Sequence, residues 1–304
     1  MFARVAAVFE EAFAAGEDLV CIMAAGIVVR GIAPWLRGKA SDPAVVVVDE
    51  GGKFAISLLS GHLGGANDLA RQVAQILNGT PVITTATDVR GLPALDVEAP
   101  GLGLAIENLP GIRVMHMAWL AGRAVRLVDP DGYLAALAAA HPGLFSTAAG
   151  LDEALAGEGP TVYVGFRERP WPPDWLILRP RNLVAGMGCH KGTPAAEILD
   201  FLQRTFYEEK LSLLSLKALA TIEAKKREPG LIEAAARLGV EFIWFTAEDL
   251  KTITVPHPSA QAVRHVGAPS VSEAAALKAG GAELIVPKRK AANATLAVAR
   301  AAWR

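Results

Sequence analysis

The feature that most constrains this fold is a unit that occurs twice: an apolar segment, a glycine-rich loop and an amphipathic helical segment. The first copy reads FAISLLSGHLGGANDLARQVAQIL and the second reads NLVAGMGCHKGTPAAEILDFL. In open α/β sheets, ligands bind beyond the carboxyl ends of the strands, where such loops lie. Tight turns need glycine even without a ligand, but two such loops, each with a histidine, favour ligand binding.

The remaining pattern alternates strands and helices. Strands are predicted at 18–24, 44–49, 53–59, 81–85, 161–166, 174–179 and 241–246, and helices at 2–15, 26–36, 65–77, 193–206, 228–239 and 270–281. Between 90 and 180 the pattern is less regular and rich in proline and glycine. We therefore predict an α/β protein whose N-terminal (1–90) and C-terminal (181–304) domains have mainly parallel sheets, joined by a smaller, less regular middle region (91–180).

Composition narrows the function classes. The chain has 304 residues, a formal net charge of -1 and two cysteines, Cys21 and Cys189, far apart in sequence. Near-neutral charge does not favour nucleic acid or an anionic membrane as a partner, and two distant cysteines fit a reducing compartment. Since no apolar segment reaches membrane-spanning length, we predict a cytoplasmic protein with neither kind of partner.

The first glycine loop contains a histidine suited to proton transfer. His62 lies at the predicted end of a strand, and an imidazole titrates near neutral pH. A lone histidine is more often a hydrogen-bonded structural residue, so the loop context is what favours catalysis. Asn67, in the first turn of the predicted helix, either orients a substrate or complements the helix dipole. Asp88, just after a predicted strand, is either a turn or N-cap residue or a polar group that faces the same crevice as His62. The other candidates for this site are Gly61, Gly64 and Gly65.

The second loop, GMGCHKGT, nearly matches two nucleotide-binding fingerprints. Walker A places the lysine after the glycine, whereas Lys191 precedes Gly192 here, and the dinucleotide motif has a tighter glycine spacing. A nucleotide-binding oxidoreductase is therefore disfavoured. A helix is predicted to follow, with Thr193 at its N-cap and Pro194 at N1, and its amino terminus would attract anions. The candidate binding residues are Gly186, Gly188, His190, Lys191 and Thr193.

No metal site is predicted. The 6 histidines, His62, His116, His141, His190, His257 and His265, are scattered, without an H-x-x-x-H or C-x-x-C pairing. A G-x-S-x-G elbow is also absent from the sequence, which argues against a serine hydrolase.

Longer motifs resemble one family. GIVVRGIAP, SDPAVVVVDEGGKFAISLLSGHLGGANDLA and PVITTATDV are similar to the N-terminal domain of the CbiG family, the cobalt-precorrin-5A hydrolases of anaerobic cobalamin biosynthesis. VAGMGCHKGTPAAEI, KKREPGLIEAA, FTAEDL and VGAPSVSEAAAL resemble that family's C-terminal domain. Similar chains carry an extra N-terminal segment, so we expect this first domain to be shortened at its start.

The resemblance implies a reaction. Family members open the δ-lactone of a cobalt-bound tetrapyrrole and release acetaldehyde, giving cobalt-precorrin-5B. The cobalt belongs to the substrate, so no cofactor is expected. We expect His62 to be the general base or acid, with loop N–H groups and Asn67 as stabilisers and Asp88 facing the same crevice. Because the substrate carries many carboxylates, the basic candidates are Arg30, Arg37, Lys39 and Lys191.

A second interpretation keeps the ligand but not the catalysis: a tetrapyrrole-binding or hand-over protein of the same pathway. The presence of the SGHLGGAN loop favours the enzyme. Other enzymes of the cobalamin pathway are candidate partners, and a homo-oligomer is left open.

Overall fold

The computed structural model describes residues 5–38, 41–62, 64–258, 264 and 269–301. Within these ranges the strands form three sheets, of four, five and five strands, with helices between them. The predicted α/β class is confirmed. Contacts between Cα atoms divide the chain into two compact units. Unit 1 comprises Met1–Gly101, Ile112–Val125 and Leu137–Phe145, and unit 2 comprises Leu102–Gly111, Arg126–Ala136 and Ser146–Arg304. The three-domain boundaries expected from the sequence stay a prediction.

The first sheet has the strand order β1-β2-β3-β4. Its elements and those that follow it are α1 (Val5–Ala15), β1 (Leu19–Ile22), α2 (Ala25–Ile32), β2 (Val45–Val48), β3 (Phe54–Leu59), α3 (Ala66–Leu77), β4 (Thr80–Val82), α4 (Ala86–Val89) and α5 (Leu95–Gly101). The pairs β1–β2 and β3–β4 are parallel. The β2–β3 pair is antiparallel, because the short turn at 49–53 forms a hairpin between them.

The valines of β2 explain why this sheet is covered on both faces. All four are buried, and successive side chains of a strand point to opposite sides. Val45 and Val47 pack with aromatic and aliphatic side chains of α1 and α2. Val46 and Val48 pack with the alanines of α3. A continuous β-branched run therefore becomes a strand with two apolar faces.

The middle region contains a sheet of its own, in the order β5-β9-β8-β6-β7. Its elements are β5 (Leu104–Ile106), α6 (Leu109–Leu120), β6 (Val125–Val128), α7 (Ala135–Ala140), β7 (Phe145–Thr147), α8 (Leu151–Ala156), β8 (Thr161–Val164) and β9 (Trp175–Pro180). The strands predicted at 161–166 and 174–179 are confirmed. Helix α6 and the short strands β5 and β7 were not predicted from the sequence.

The third sheet has the order β12-β11-β10-β14-β13. Its elements are β10 (Leu183–Cys189), α9 (Ala195–Glu208), β11 (Leu216–Ile222), α10 (Pro229–Leu238), β12 (Glu241–Phe245), α11 (Ala247–Lys251), α12 (Val271–Gly280), β13 (Gly281–Lys290) and β14 (Ala294–Ala301). Strands β10, β11 and β12 are parallel, whereas β14 and β13 add antiparallel pairs. Helices α9 and α10 cover one face, and α12 packs on the other.

The predicted start of α9 was wrong by one residue. Pro194, not Thr193, is the N-cap residue. The Thr193 hydroxyl donates to the carbonyl oxygen of His190 at 3.0 Å, so it closes the preceding loop instead of capping the helix. Among the described residues, no helix combines the length and hydropathy needed to span a membrane.

Candidate active site

Two neighbouring parallel strands bring His62 and Asp88 together. His62 follows β3 and Asp88 lies in α4, just after β4, and parallel strands end at the same edge of a sheet. His62 Nε2 lies 2.8 Å from Asp88 Oδ2 and 3.1 Å from the Thr87 hydroxyl. Both side chains are largely buried. Two residues that the sequence singled out separately are therefore direct partners.

Asp88 accepts hydrogen bonds from two further side chains. Asn67 Nδ2 donates to its Oδ2 at 3.0 Å, and Arg71 donates to its Oδ1 at 2.7 Å. Burial of the carboxyl opposes ionisation, but the hydrogen bonds from His62 and Arg71 outweigh it and hold the pKa of Asp88 below its usual value. Asp88 is therefore a carboxylate at neutral pH, and it can only accept.

Asn67 uses its whole amide within the protein. Its Nδ2 donates to the Thr85 hydroxyl at 3.0 Å as well as to Asp88, and its Oδ1 accepts from the Ser57 hydroxyl at 2.7 Å. The residue is buried in the first turn of α3. This geometry makes Asn67 a positioning residue for Asp88, while its predicted contact with the substrate stays untested.

Two residues at this site were missed from the sequence, Asp96 and His116. Asp96 Oδ2 lies 3.9 Å from His62 Nδ1, and its side chain is only 9% exposed. The rings of His62 and His116 meet edge to face, with their centroids 6.2 Å apart. Asp96 lies in α5 and His116 in α6, within the segment whose pattern was read as irregular. The apolar spacing of Ile112, Met115 and Trp119 was the available signal for α6.

The glycines of the first loop fit close against their own neighbours. A Cβ on Gly61 would lie 2.8 Å from Asn67 Oδ1, and one on Gly64 would lie 2.3 Å from the Ser60 Cβ. Gly65 has a φ of +81° at the N-cap of α3. The N–H groups of Ala66 and Asn67 donate to the carbonyl oxygens of Ser60 and Gly61. Those two donors are thus occupied within the loop, and the predicted substrate contacts of the three glycines stay predictions.

The second loop binds a carboxylate of the protein itself, the side chain of Glu228. The Gly192 N–H donates to Glu228 Oε1 at 2.6 Å, and Lys225 donates to Glu228 Oε2 at 3.2 Å. Burial of Glu228 opposes ionisation, but these two donors hold the pKa of its carboxyl below the usual value. His190 and Lys191 remain exposed at the loop surface. They are the members of this loop with side chains open to a ligand.

The other predicted residues of the second loop are packed inside unit 2. A Cβ on Gly186 would lie 1.9 Å from the Ser272 carbonyl oxygen, and one on Gly188 would lie 2.7 Å from the Thr295 hydroxyl. Thr193 is buried. The close approach of β10 to α12 accounts for Gly186, so substrate contact at these three positions stays a prediction.

The basic residues expected near the first loop lie in α2 and beyond it. Arg30 is exposed and donates to the carbonyl oxygen of Gly26 in its own helix. The Arg37 N–H donates to Asp42, while its side chain is exposed. Lys39 lies outside the described residues. Within those residues, no group of three His, Cys, Asp or Glu side chains is arranged to hold a metal ion.

Comparison with known proteins gives two family matches. Residues 7–88 match the model described as Cobalamin synthesis G N-terminal, and residues 183–299 match Cobalamin synthesis G C-terminus. The chain is 37% identical over 296 residues to the cobalt-precorrin-5A hydrolase of Priestia megaterium, covering 94% of this chain and 79% of the relative. It is 38% identical over 272 residues to the Salmonella typhimurium enzyme of the same name, covering 88% and 77%. A solved structure of CobE, a protein from the cobalamin biosynthetic pathway, is 38% identical over 39% of this chain and 89% of its own, with a TM-score of 0.37.

Proposed function

Because this chain belongs to the CbiG family of cobalt-precorrin-5A hydrolases, we propose that it opens the δ-lactone of cobalt-precorrin-5A and releases acetaldehyde to give cobalt-precorrin-5B. The observation that carries the proposal is the His62–Asp88 pair, which lies within the N-terminal family match. A histidine oriented by a buried carboxylate is suited to activating water for attack on an ester carbonyl.

The hydrogen bonds of Asp88 determine which nitrogen of His62 acts. An ionised carboxylate only accepts, so His62 Nε2 carries the proton and donates it to Asp88. The lone pair of the neutral ring is then on Nδ1. Nδ1 is the atom that takes a proton from water and returns it to the leaving oxygen. Asn67 and Arg71 keep Asp88 in place through this transfer.

In unit 2, the exposed His190 and Lys191 are our candidates for binding carboxylates of the substrate. Glu228 already accepts from Gly192, so the loop backbone is held in a defined shape and the side chains supply the open positive charge. We propose that cobalt enters with the substrate and that the protein adds no cofactor. A homo-oligomer and contacts with other enzymes of the pathway stay predictions.

The test is acetaldehyde release from cobalt-precorrin-5A by the wild-type chain and by His62→Ala. Removal of a general base typically costs about 10²–10⁴-fold in rate, and that loss is expected here. His141→Ala is the matched control, since this histidine also lies in unit 1 but outside the His62 network, and its rate should stay within about twofold of wild type.

Wild-type turnover by His62→Ala would remove His62 from the mechanism. A wild-type chain that binds the pigment but releases no acetaldehyde would instead support the non-catalytic hand-over function. The N-terminal family match argues against that alternative, because it covers the loop that contains His62.

A further inference from the structure

Asp96 and His116 lie next to the His62 ring, Asp96 near Nδ1 and His116 at the ring edge. Together with His62 they contribute three hydrogen-bond acceptor atoms: His62 Nδ1, Asp96 Oδ1 and His116 Nε2. Asp96 Oδ1 and His116 Nε2 are buried and have no hydrogen-bond partner among the described residues. The second Asp96 oxygen is 3.9 Å from His62 Nδ1, which is too long for a hydrogen bond.

The protonation state of each of these groups leaves it with a free lone pair, so each acts as a hydrogen-bond acceptor. His62 donates from Nε2 to Asp88, which leaves a lone pair on Nδ1. The Pro93 carbonyl, which can only accept, acts on the His116 ring, and His116 Nε2 has no partner among the described residues, so we place the ring proton on Nδ1. Burial lowers the pKa of His116, an effect that the Asp96 charge opposes and His62 reinforces. A neutral His116 therefore presents a lone pair on Nε2, and the Asp96 carboxylate presents its own.

Buried acceptors without donors are costly, so a group of them indicates a ligand that supplies hydrogens. Asp96 lies in the first turn of α5, where a carboxylate interacts favourably with the helix dipole. The interaction with the helix dipole does not explain why Asp96 is buried, because an exposed carboxylate in the first turn would interact with the dipole equally well. Its burial beside the His62 lone pair needs a further reason. A water molecule has the two O–H groups that such acceptors require, and it is a reactant in lactone hydrolysis.

We propose that Asp96 is a second catalytic residue, whose carboxylate and His62 Nδ1 together bind the water that attacks the lactone. This inference rests on the proposed function. The water donates one hydrogen to His62 Nδ1 and the other to the Asp96 carboxylate, whose Oδ2 lies 3.9 Å from Nδ1. This arrangement leaves an oxygen lone pair of the water for the carbonyl carbon. The neutral His116 ring meets the His62 ring edge to face and contributes a further acceptor, Nε2.

The step balances without a further reactant. The water oxygen forms a bond to the lactone carbonyl carbon while its first proton moves to His62 Nδ1. The acyl C–O bond then breaks, its electron pair leaves with the ring oxygen, and that oxygen takes the proton back from Nδ1. The second water hydrogen stays on the new carboxyl group and is released to solvent at neutral pH. Asp96 remains a carboxylate throughout and stabilises the transient imidazolium.

The test compares Asp96→Asn with wild type and with Glu98→Gln. Asparagine keeps the shape of Asp96 but presents an amide in place of two acceptor oxygens. We expect kcat for acetaldehyde release to fall about 100-fold, in the range for loss of an acid–base group, with KM within about threefold of wild type. Glu98 is an exposed carboxylate of the same helix, and its variant should retain the wild-type kcat.

A second nucleophile separates water binding from a structural role. Hydroxylamine attacks esters without a general base, so lactone opening to the hydroxamate, followed by mass, should fall less than about threefold in Asp96→Asn. The melting temperature of this variant should not fall, because the substitution removes the charge of a buried carboxyl group whose Oδ1 has no hydrogen-bond partner among the described residues.

The outcomes distinguish the two proposals. A wild-type chain that does not turn over cobalt-precorrin-5A contradicts the proposed function itself. An active wild type with an equally active Asp96→Asn variant overturns the role of Asp96 and leaves the function intact. Equal losses with water and hydroxylamine, or a lowered melting temperature, would assign Asp96 a structural role and also overturn the proposal.

Discussion

Replacing Asn67 by aspartate tests the electrostatics of the candidate site with almost no change in shape. The substitution puts a carboxylate oxygen where Asn67 Nδ2 lies, 3.0 Å from Asp88 Oδ2. Two unit charges at that distance repel by about 5.5 kcal/mol at an effective dielectric constant of 20. Binding a proton at pH 7 costs a carboxyl group of ordinary pKa about 4 kcal/mol. Because binding a proton costs less free energy than the repulsion between two carboxylates, the two carboxyl groups should share one proton.

A shared proton determines how the stability depends on pH. The folded variant has a raised pKa for this proton and the unfolded chain does not, so stability falls as pH rises above about 4. The loss should be about 4 kcal/mol at pH 7 and about 1.5 kcal/mol at pH 5. In the wild type the pKa of Asp88 is lowered instead, so its contribution is lost only as pH falls below about 4. Wild-type Asp88 therefore adds no slope between pH 5 and 8.

Urea unfolding at pH 5, 6, 7 and 8 measures this slope. With an m-value of about 2 kcal/mol/M, the midpoint of Asn67→Asp should lie about 2 M below wild type at pH 7 and less than 1 M below it at pH 5. Asn78→Asp is the matched control, since Asn78 is the exposed C-cap residue of the same helix, and its loss should stay below about 1 kcal/mol without a slope. A deficit of Asn67→Asp that does not shrink on acidification would refute the reasoning.

Two further substitutions test unit 2. Gly186→Ala should lower the free energy of thermal unfolding by about 3 kcal/mol, because its Cβ would lie 1.9 Å from the backbone of α12. Gly188→Ala should lower it by only about 1 kcal/mol, because its Cβ would meet a hydroxyl that can rotate away. Equal losses in the two variants would contradict the packing argument. Glu228→Gln should lower the free energy of unfolding by about 1–2 kcal/mol at neutral pH, and this difference should vanish as pH falls through the lowered pKa of Glu228. The control Glu223→Gln, at an exposed ion pair, should lower it by less than about 0.5 kcal/mol. A loss of stability in Glu228→Gln that does not change with pH would contradict the inference that ionised Glu228 stabilises the loop.

The predictable part of the fold is the part with strong local periodicity. The valines of β2 and the helices that end at Gly239 and Gly281 follow local rules, and both glycines take the left-handed conformation at the C-cap. The middle region was harder because α5 contains Pro100 and α6 is apolar around most of its surface. Proline inside a helical segment reads as a break, so tertiary packing overrides the local signal there.

The candidate site divides along the same line. His62, Asn67 and Asp88 were accessible because each follows a strand or begins a helix in a regular unit, and βα units place such residues at one sheet edge. Asp96 and His116 come from elements whose positions depend on contacts distant in sequence. Hydrophobic periodicity along the sequence does not report such distant contacts. The positions of Asp96 and His116 beside His62 could therefore be seen only in the structure.

The sequence makes the glycines of the first loop candidates for ligand binding, and the structure shows a requirement for two of them within the loop itself. Gly61 leaves room for the amide of Asn67, and Gly64 leaves room for Ser60, which itself has a φ of +59°. A side chain at Gly61 would displace Asn67, the residue that donates to Asp88, and Asp88 orients His62. Gly61 is thus coupled to His62 through two side chains, those of Asn67 and Asp88. That coupling explains why glycine is required next to His62 whether or not a ligand is bound.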